Sequence, residues 1–523
     1  MNFSLRNPFF VFGLVFLWRL ALLIFTAQPI PANDAFFFDG PAVNSVLHGR
    51  FANPSIIYFT PFSATNVFCA YPPVYPLAMR AWMDMAGTSV LSAMWFHLLI
   101  FGVYLFLLAA IFRRLLTPAW CINLAGLFLL AMTFDDRPDS LAQVFGLLAF
   151  WLWLDIEKRT RSAWLPAVLV TLSMWTNPEI GAIYFGLLAA LTSLRSGFCG
   201  RTWPVLPLFL LLVLPPLSVL AFKTWQPELW TGFLEHARQT PSFTHLRHPS
   251  VNDLLKVIRS IPGALLVITV LPWHWRRENW SQPLFQLAVV SSLACLAVTI
   301  GALTAFTADW INFARYLQPL AVGGFLAWRF MAQDPAAPAP GRRVWQGAFL
   351  ALALLAAVRA IGLSTWGVAC AADVSYPAAL QLVKSNLNSL PPGATVVASS
   401  AFLYESARHN DLVSLHEDWL HPASTGVSDE DTDREALLTI KPARMILVQY
   451  DYYRRFQGPL QQLEAHPELV TVTIHNTAKV PPPDASKSLQ RVLQHIAWAP
   501  VIVDFKWTEP PPAPKTIAPG ANP

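Results

Sequence analysis

The sequence predicts a polytopic α-helical membrane protein, and three observations carry that prediction. Hydrophobic residues make up 54% of the chain and charged residues only 13%, whereas soluble domains average about 25% charged residues. The apolar residues are concentrated in blocks that are long enough to cross a bilayer, which takes ~20 residues in a helix. The basic residues lie in short clusters between these blocks, as they do in the cytoplasmic loops of membrane proteins.

The apolar blocks predict about eleven transmembrane helices. They lie at roughly 9–27, 89–112, 118–133, 140–154, 163–176, 180–194, 203–222, 259–273, 283–307, 311–331 and 344–366. Arg19 interrupts the first block, and the stretch after it contains no clear small-x-small cleavage site. We therefore interpret this block as an uncleaved span and not as a signal peptide.

The distribution of charge predicts the side on which each loop lies. With the N-terminus inside, the inner loops hold eleven basic residues, namely Arg113, Arg114, Lys158, Arg159, Arg161, Arg195, Arg201, Arg276, Arg277, Arg342 and Arg343. The short outer loops hold only one basic residue, Arg137, in agreement with the positive-inside rule. The prediction is a protein integral to the cytoplasmic (inner) membrane, with a cytoplasmic N-terminus and an extracytoplasmic C-terminal segment.

Long segments outside the membrane divide the chain. Residues 1–366 are predicted to form the transmembrane domain, with outer loops at 28–88 and 223–258. Residues 367–509 are predicted to form a small α/β domain, because short buried-strand runs, at 395–398 and 445–448, alternate there with helical stretches. The Pro/Ala-rich residues 510–523 have the composition of a disordered tail. The net charge is +5, but the basic residues lie in short clusters between the apolar blocks, as in cytoplasmic membrane loops. Nucleic acid is therefore not an expected partner.

The first outer loop carries the most informative pattern. Asp34 precedes an aromatic stretch with small residues, Ala35 to Leu47, which we predict to be a helix that lies along the membrane surface. Asp39 follows five residues after Asp34. The loop ends in Tyr71-Pro72-Pro73-Val74-Tyr75, whose tandem prolines rigidify the chain before it returns to the membrane. On this local evidence Asp34 is either a helix N-cap or a reactive carboxylate.

Together with two later motifs, this loop resembles the GT-C superfamily of membrane glycosyltransferases. The resemblance is to the bacterial relatives of dolichyl-phosphate-mannose protein mannosyltransferases and to aminoarabinose transferases, and it covers roughly residues 1–330. The later motifs are Asp136-Arg137-Pro138-Asp139 and Ala314-Arg315-Tyr316-Leu317-Gln318-Pro319-Leu320. Many relatives carry Asp-Glu where this chain has Asp34-Ala35, so the second acid is absent or replaced by Asp39.

The resemblance implies inverting transfer of a hexose or pentose from a polyprenyl-phosphate-linked donor. The acceptor would be a hydroxyl or amine of a cell-envelope glycan, lipid or protein at the outer face. Asp34 maps to the family's general base. Arg137 and Arg315 would contact the donor phosphate, although Arg137 can instead pair with a nearby aspartate and Arg315 can extend to the interface. Further candidates for substrate contacts, or for supporting them, are Asp39, Tyr71, Tyr75, Asp136, Asp139, Glu179 and Arg19.

Three other features leave alternatives open. Arg19 lies inside the first span, where a cation costs at least ~2.5 kcal/mol and is usually paired or functional; an acidic partner on a neighbouring span and a ligand contact are both compatible with it. Glu179 either holds the acceptor or caps the following helix. The histidines of the second outer loop, at positions 236, 245 and 248, lack the spacing of a compact metal site. We therefore expect no cofactor and no divalent metal.

Two other classes of protein stay open. A transporter or flippase would explain the many spans and Arg19, but it would not predict an acidic first loop or a large terminal outer domain. A non-catalytic scaffold that keeps the GT-C fold would explain the missing Asp-Glu pair.

Overall fold

The computed structural model describes most of the chain, with gaps. The described residues are 7–27, 35–49, 51, 72–115, 118–129, 137–156, 164–198, 205–225, 227, 230, 250–304, 311–331, 344, 347–355, 357–358, 361–362, 375–391, 394–406, 412–414, 429–476 and 500–508. Three predicted site residues, Asp34, Tyr71 and Asp136, lie outside these ranges. The histidines of the second outer loop and the C-terminal tail lie outside them as well.

The described residues before position 332 form mainly helices. The first ten are α1 (Phe10–Thr26), α2 (Ala35–Phe38), α3 (Gly40–His48), α4 (Val74–Ala86), α5 (Val90–Arg114), α6 (Ala119–Leu129), α7 (Asp139–Ile156), α8 (Trp164–Thr176), α9 (Pro178–Phe198) and α10 (Val205–Trp225). They are followed by α11 (Val251–Ser260), α12 (Pro262–Val270), two 3₁₀ turns (Leu271–His274 and Arg277–Ser281), α13 (Pro283–Thr304) and α14 (Ile311–Met331). Residues 347–355 are also helical.

Helices occupy each predicted span that the structure describes, although their bounds differ. Val90–Arg114 and Pro283–Gly301 are long and apolar enough to cross a bilayer by length and composition, and six further apolar helices are shorter. Large apolar side chains such as Leu17, Phe25 and Phe106 are exposed on α1 and α5, as expected of surfaces that face lipid. The predicted span at 259–273 is interrupted because α11 ends at Ser260 and α12 begins at Pro262.

The first outer loop differs from its predicted form. The helix predicted for Ala35–Leu47 is present as α2 and α3, which meet at Asp39, where the backbone stays in the right-handed helical region. Phe38, Ala42 and Val43 are buried in the protein core, so the prediction that the aromatic residues of this helix lie at headgroup level is wrong for Phe38. The tandem prolines do not lead directly into a span either, because Pro73 precedes the separate helix α4.

The helices α7 and α9 pack closely along their length, and their first turns lie side by side. Gly146 on α7 permits this approach, because a Cβ atom there would lie 2.2 Å from the Tyr184 ring. The Tyr184 hydroxyl donates to Gln143 Oε1 at 2.7 Å, and Trp153 Nε1 donates to Thr192 Oγ1 at 3.0 Å. These interhelical contacts fix the helix ends that carry Asp139 and Glu179.

A mixed five-stranded sheet follows the helices. Its elements are α15 (Tyr376–Asn388), β1 (Val396–Ala398), a 3₁₀ turn (Ser400–Phe402), α16 (Leu403–Ser406), β2 (Leu412–Ser414), α17 (Asp429–Ile440), β3 (Arg444–Val448), α18 (Gln449–Asp451), a π-helical turn (Tyr452–Phe456), α19 (Gln457–Glu464), β4 (Val470–Asn476) and β5 (Pro500–Trp507). The strand order is β2-β1-β3-β5-β4. Strand β1 is parallel to β2 and β3, and β5 is antiparallel to β3 and β4. Both strands that the sequence predicts, near 395–398 and 445–448, are present.

The two faces of the sheet pack in different places. Val397, Met445 and Leu447 face a local core with α17 and α19. Val396 and Ile446, on the opposite face, belong to the same continuous apolar core as the long helices. The sheet therefore packs directly against the helical part of the chain. We call residues 375–508 the C-terminal unit.

Candidate functional site

A buried carboxylate lies at the junction of α2 and α3 in the first loop. Asp39 connects α2 to α3 and is 1% exposed. The Tyr75 hydroxyl donates to its Oδ1 at 2.7 Å, and the Tyr404 hydroxyl donates to its Oδ2 at 2.7 Å. The Tyr75 oxygen also lies 3.0 Å from His97 Nε2. Four side chains from distant parts of the sequence thus form one connected group, which we call the Asp39 cluster.

The hydrogen-bond geometry assigns a role to each group in this cluster when Asp39 is ionised. The Tyr75 hydroxyl has one hydrogen, which it donates to Asp39, so His97 must donate to Tyr75 from Nε2. His97 Nδ1 is then an acceptor; it is buried and has no hydrogen-bond partner within the described part of the chain. The carboxylate itself receives a donor on each oxygen.

Burial raises the pKa of Asp39 from its ordinary value to about 7. Removal of the carboxylate from water disfavours its charged form, and this is the largest cause of the shift. The hydrogen bonds from Tyr75 and Tyr404 act in the opposite direction, because they stabilise the ionised form. Asp39 therefore changes charge near neutral pH.

Local sequence determines how Asp39 reaches this position. Its N–H donates to the Ala35 carbonyl at 2.8 Å, and its own carbonyl accepts from the Val43 N–H at 2.9 Å. Gly40 and Pro41 open α3 immediately after Asp39, and proline is favoured in the first turn of a helix. Tyr75 is the second residue of α4, which begins directly after Pro72 and Pro73.

An aromatic ring connects the Asp39 cluster to a second polar group. Phe38 contacts Tyr75 edge-to-face, with a centroid distance of 6.3 Å. The Arg137 guanidinium carbon lies 5.6 Å from the centroid of the Phe38 ring, within the range of a cation–π contact. Arg137 Nε lies 3.4 Å from Asp139 Oδ2. Of the pairings that the sequence leaves open for Arg137, the structure shows the one with Asp139.

Asn177 links this second group to the start of α9. Its Nδ2 donates to Asp139 Oδ1 at 2.7 Å. Its Oδ1 accepts from the N–H groups of Glu179 at 3.0 Å and of Ile180 at 3.1 Å. Asn177 is therefore the N-cap of α9, and the alternative that Glu179 caps this helix is wrong. Glu179 Oε2 is buried without a hydrogen-bond partner within the described ranges. We call Arg137, Asp139, Asn177 and Glu179 the Arg137 cluster.

The other two predicted arginines have contacts of their own. Arg315 Nη2 donates to Ser260 Oγ at 2.8 Å. One turn further along α14, Gln318 Oε1 accepts from the Gly263 N–H at 2.9 Å, so both residues hold α14 against the junction of α11 and α12. The Arg19 guanidinium carbon lies 4.9 Å from the centroid of the Trp18 ring.

The structure thus brings together five of the predicted residues: Asp39, Tyr75, Arg137, Asp139 and Glu179. Three further residues of the site, His97, Asn177 and Tyr404, were not predicted from the sequence. His97 is a polar residue inside an apolar span, which is a signal of function or of buried pairing. Asn177-Pro178 is an N-cap followed by proline, the usual start of a helix. Tyr404 carries no comparable signal, because nothing local relates it to Asp39. Within the described residues, no group of three or more His, Cys, Asp or Glu side chains is placed to hold a metal ion.

Comparison with known proteins supports the fold. No protein-family model and no curated protein sequence matches the chain. The crystal structure of ArnT from Cupriavidus metallidurans bound to undecaprenyl phosphate does match, with a TM-score of 0.53 at 14% sequence identity. The similarity covers 94% of this chain and 97% of that one. The chain therefore shares the fold of that structure over nearly its whole length.

Proposed function

We propose that this protein is an inverting glycosyltransferase that moves a sugar from a polyprenyl-phosphate-linked donor to an acceptor at the outer face of the membrane. The observation that carries the proposal is the GT-C-like fold over 94% of the chain, shared with an enzyme that was crystallised with undecaprenyl phosphate. The Asp39 cluster and the Arg137 cluster support the proposal, because they gather polar and charged side chains on the first loop and at the starts of α7 and α9.

Asp34 is the proposed general base. It immediately precedes α2, the short helix whose far end is held at Asp39. In the proposed step, Asp34 takes the proton of the acceptor hydroxyl or amine while the acceptor oxygen or nitrogen bonds to the anomeric carbon. The bond from that carbon to the phosphate oxygen breaks, and the polyprenyl phosphate leaves with the electron pair. Attack opposite the leaving group inverts the anomeric configuration.

Asp39 is less suited to be the base, even though its pKa of about 7 matches that task. Both of its oxygens accept hydrogen bonds from tyrosines, and the residue is 1% exposed. An acceptor would have to displace a tyrosine to reach it. We therefore assign Asp39 to holding the loop, and Asp34 to the proton transfer.

Arg137 and Arg315 are the proposed phosphate contacts. The Arg137 side chain is 25% exposed, so its guanidinium is accessible from outside the core. A guanidinium carries five N–H donors, which makes the contact with Asp139 compatible with a simultaneous contact to phosphate. Fixed cations near the leaving group stabilise the charge that develops on it in the transition state.

Glu179 is the proposed acceptor contact. Its backbone N–H is already satisfied by Asn177, so its carboxylate is not needed for capping. Since Glu179 Oε2 is buried without a hydrogen-bond partner in the described part of the structure, a hydroxyl or amine of the acceptor would satisfy it.

Sealed proteoliposomes test transfer against transport. The purified chain is reconstituted with polyprenyl-phosphate-linked hexose and pentose donors and with candidate acceptors, and two quantities are measured: release of free polyprenyl phosphate, and movement of the lipid-linked sugar between leaflets. Acceptor-dependent release supports the transferase. Movement between leaflets without release would contradict it and favour the flippase. Absence of both activities across the donor panel would favour the scaffold.

A further inference from the structure

The Asp39 cluster contains one member from the far end of the chain. Tyr404 lies 365 residues after Asp39 in sequence, yet its hydroxyl donates to Asp39 Oδ2 at 2.7 Å and the residue is 1% exposed. Tyr75 donates to the other oxygen at the same distance. The junction of α2 and α3 is therefore held from one side by the loop itself and from the other side by the C-terminal unit.

The sheet fixes the position of Tyr404. The chain leaves β1 at Ser399, whose N–H donates to the Ile446 carbonyl of β3 at 2.9 Å. Ser399 Oγ accepts from the Val448 N–H at 3.0 Å and donates to Asp451 Oδ2. These bonds hold Ser399, and with it the start of the turn Ser400–Phe402, against the neighbouring strand. Tyr404 follows this turn, in α16. A side chain on such an anchored turn has little freedom to follow movements of its partner.

The turn also packs into the helical core. Ala401, Phe402 and Leu403 are at most 2% exposed, and they belong to the continuous apolar core that includes Tyr75 and the long helices. The contact between Tyr404 and Asp39 is thus enclosed by apolar side chains and shielded from water. A hydrogen bond to a carboxylate is stronger in such surroundings than at the surface.

We infer that the C-terminal unit supplies a positioning residue to the first loop: Tyr404, by binding Asp39, holds the junction of α2 and α3, five residues after the proposed base in sequence. This inference rests on the proposed function for the role of Asp34. The Asp39 N–H also bonds to Ala35 at the start of α2, and Asp34 is the residue before Ala35. We therefore expect Tyr404 to influence the base through the backbone of the first loop, without touching substrate.

The test is removal of one hydroxyl from the full-length protein. Tyr404→Phe keeps the ring and the packing but loses the donor to Asp39. We expect kcat for sugar transfer to fall roughly tenfold, since hydrogen bonds to charged groups are among the stronger ones. The KM for the donor lipid should stay within about twofold, because no donor contact is assigned to Tyr404. Tyr452→Phe is the matched control, since Tyr452 lies in the same unit and packs on Tyr453; its kcat should match that of the wild type.

A double-mutant cycle separates positioning from general damage. If Tyr404 acts through Asp39, the kcat of Tyr404→Phe/Asp39→Asn should equal that of Asp39→Asn alone. Multiplicative losses in the double variant, or an equal loss in Tyr452→Phe, would overturn the inference. A rise in donor KM with an unchanged kcat would overturn it as well.

Amide hydrogen exchange tests the contact independently of activity. Tyr404→Phe should raise exchange of the backbone N–H groups in residues 35–48, while Tyr452→Phe should leave that segment protected. If the wild type transfers no sugar but this difference is seen, the proposed function fails and the positioning contact stands. If transfer is seen but exchange in residues 35–48 is the same in all three proteins, the inference fails and the proposed function stands.

Discussion

Asp39 and Asp139 are both buried aspartates of the candidate site, and their partners are different. Asp39 accepts hydrogen bonds from two neutral phenols, Tyr75 and Tyr404. Asp139 has a cation, Arg137, on one oxygen and the amide of Asn177 on the other. When a carboxylate is buried beside neutral donors, most of the free energy of its desolvation is uncompensated. A nearby cation compensates part of that free energy. The first arrangement suits a group that senses pH, and the second suits a fixed binding surface for an anion.

The largest expected effect is a dependence of stability on pH that comes from Asp39. The pKa of Asp39 is raised from 3.8 to about 7 in the folded protein. Between these values the folded state holds a proton that the unfolded state has lost, so stability is greatest below about pH 4, falls as the pH rises, and levels off above about pH 7. At ~1.4 kcal/mol per pKa unit, the contribution is on the order of 4 kcal/mol.

Thermal unfolding in detergent from pH 4 to pH 8 measures this contribution. Asp39→Asn cannot ionise and should remove most of the decline. An equally steep decline in Asp39→Asn would assign the pH dependence to other groups. It would also contradict the expected difference in pH response between Asp39 and Asp139.

Asp139→Asn should destabilise the protein at pH 8, where Asp39→Asn should not. Asp139→Asn removes the negative charge that pairs with Arg137. Asp39→Asn removes a charge that is held by neutral hydrogen-bond donors, Tyr75 and Tyr404. We expect a loss of about 1–2 kcal/mol for Asp139→Asn, reduced from the value for a buried pair because Arg137 is partly exposed. Equal unfolding temperatures of the two variants at pH 8 would contradict the comparison.

Arg137→Ala should weaken the binding of polyprenyl phosphate roughly tenfold, as expected for the loss of one charge-assisted contact. Arg80→Ala is the matched control, because Arg80 lies on the exposed side of α4, 3.8 Å from Asp84. Tryptophan fluorescence or calorimetric titration with the lipid measures the difference. Similar affinities for both variants would assign Arg137 to a structural role beside Asp139.

The smallest effect is expected for Asn177→Ala. It removes the N-cap of α9 and one hydrogen bond to Asp139, and caps of this kind contribute about 1 kcal/mol. We expect a small decrease in thermal stability together with a loss of acceptor affinity, since the first turn of α9 positions Glu179. Loss of stability with unchanged acceptor KM would remove Glu179 from the acceptor site.

Sequence predicts the part of this molecule that depends on short-range patterns. Hydropathy gives the helix positions, because each span must bury its own backbone hydrogen bonds in lipid. The contact between Arg137 and Asp139 is predictable because the two residues are two positions apart. The two tyrosine partners of Asp39 are not predictable in this way, because neither lies within Ala35–Leu47.

The long-range contacts of the site are not predictable from one sequence. The bond from Tyr404 to Asp39 depends on how a sheet 365 residues away packs against the helices. The burial of Phe38 is a similar case, because an aromatic residue in an outer loop is equally compatible with the membrane interface and with the protein core. Tertiary packing decided both outcomes.

The most direct measurement of the central claim compares two aspartates of the same loop in reconstituted membranes. Asp34→Asn should lower sugar transfer at least ~100-fold, the usual contribution of a general base. Asp84→Asn, on the exposed surface of α4, should transfer at the wild-type rate. Wild-type transfer by Asp34→Asn, at matched expression and folding, would contradict the assignment of Asp34 as the base.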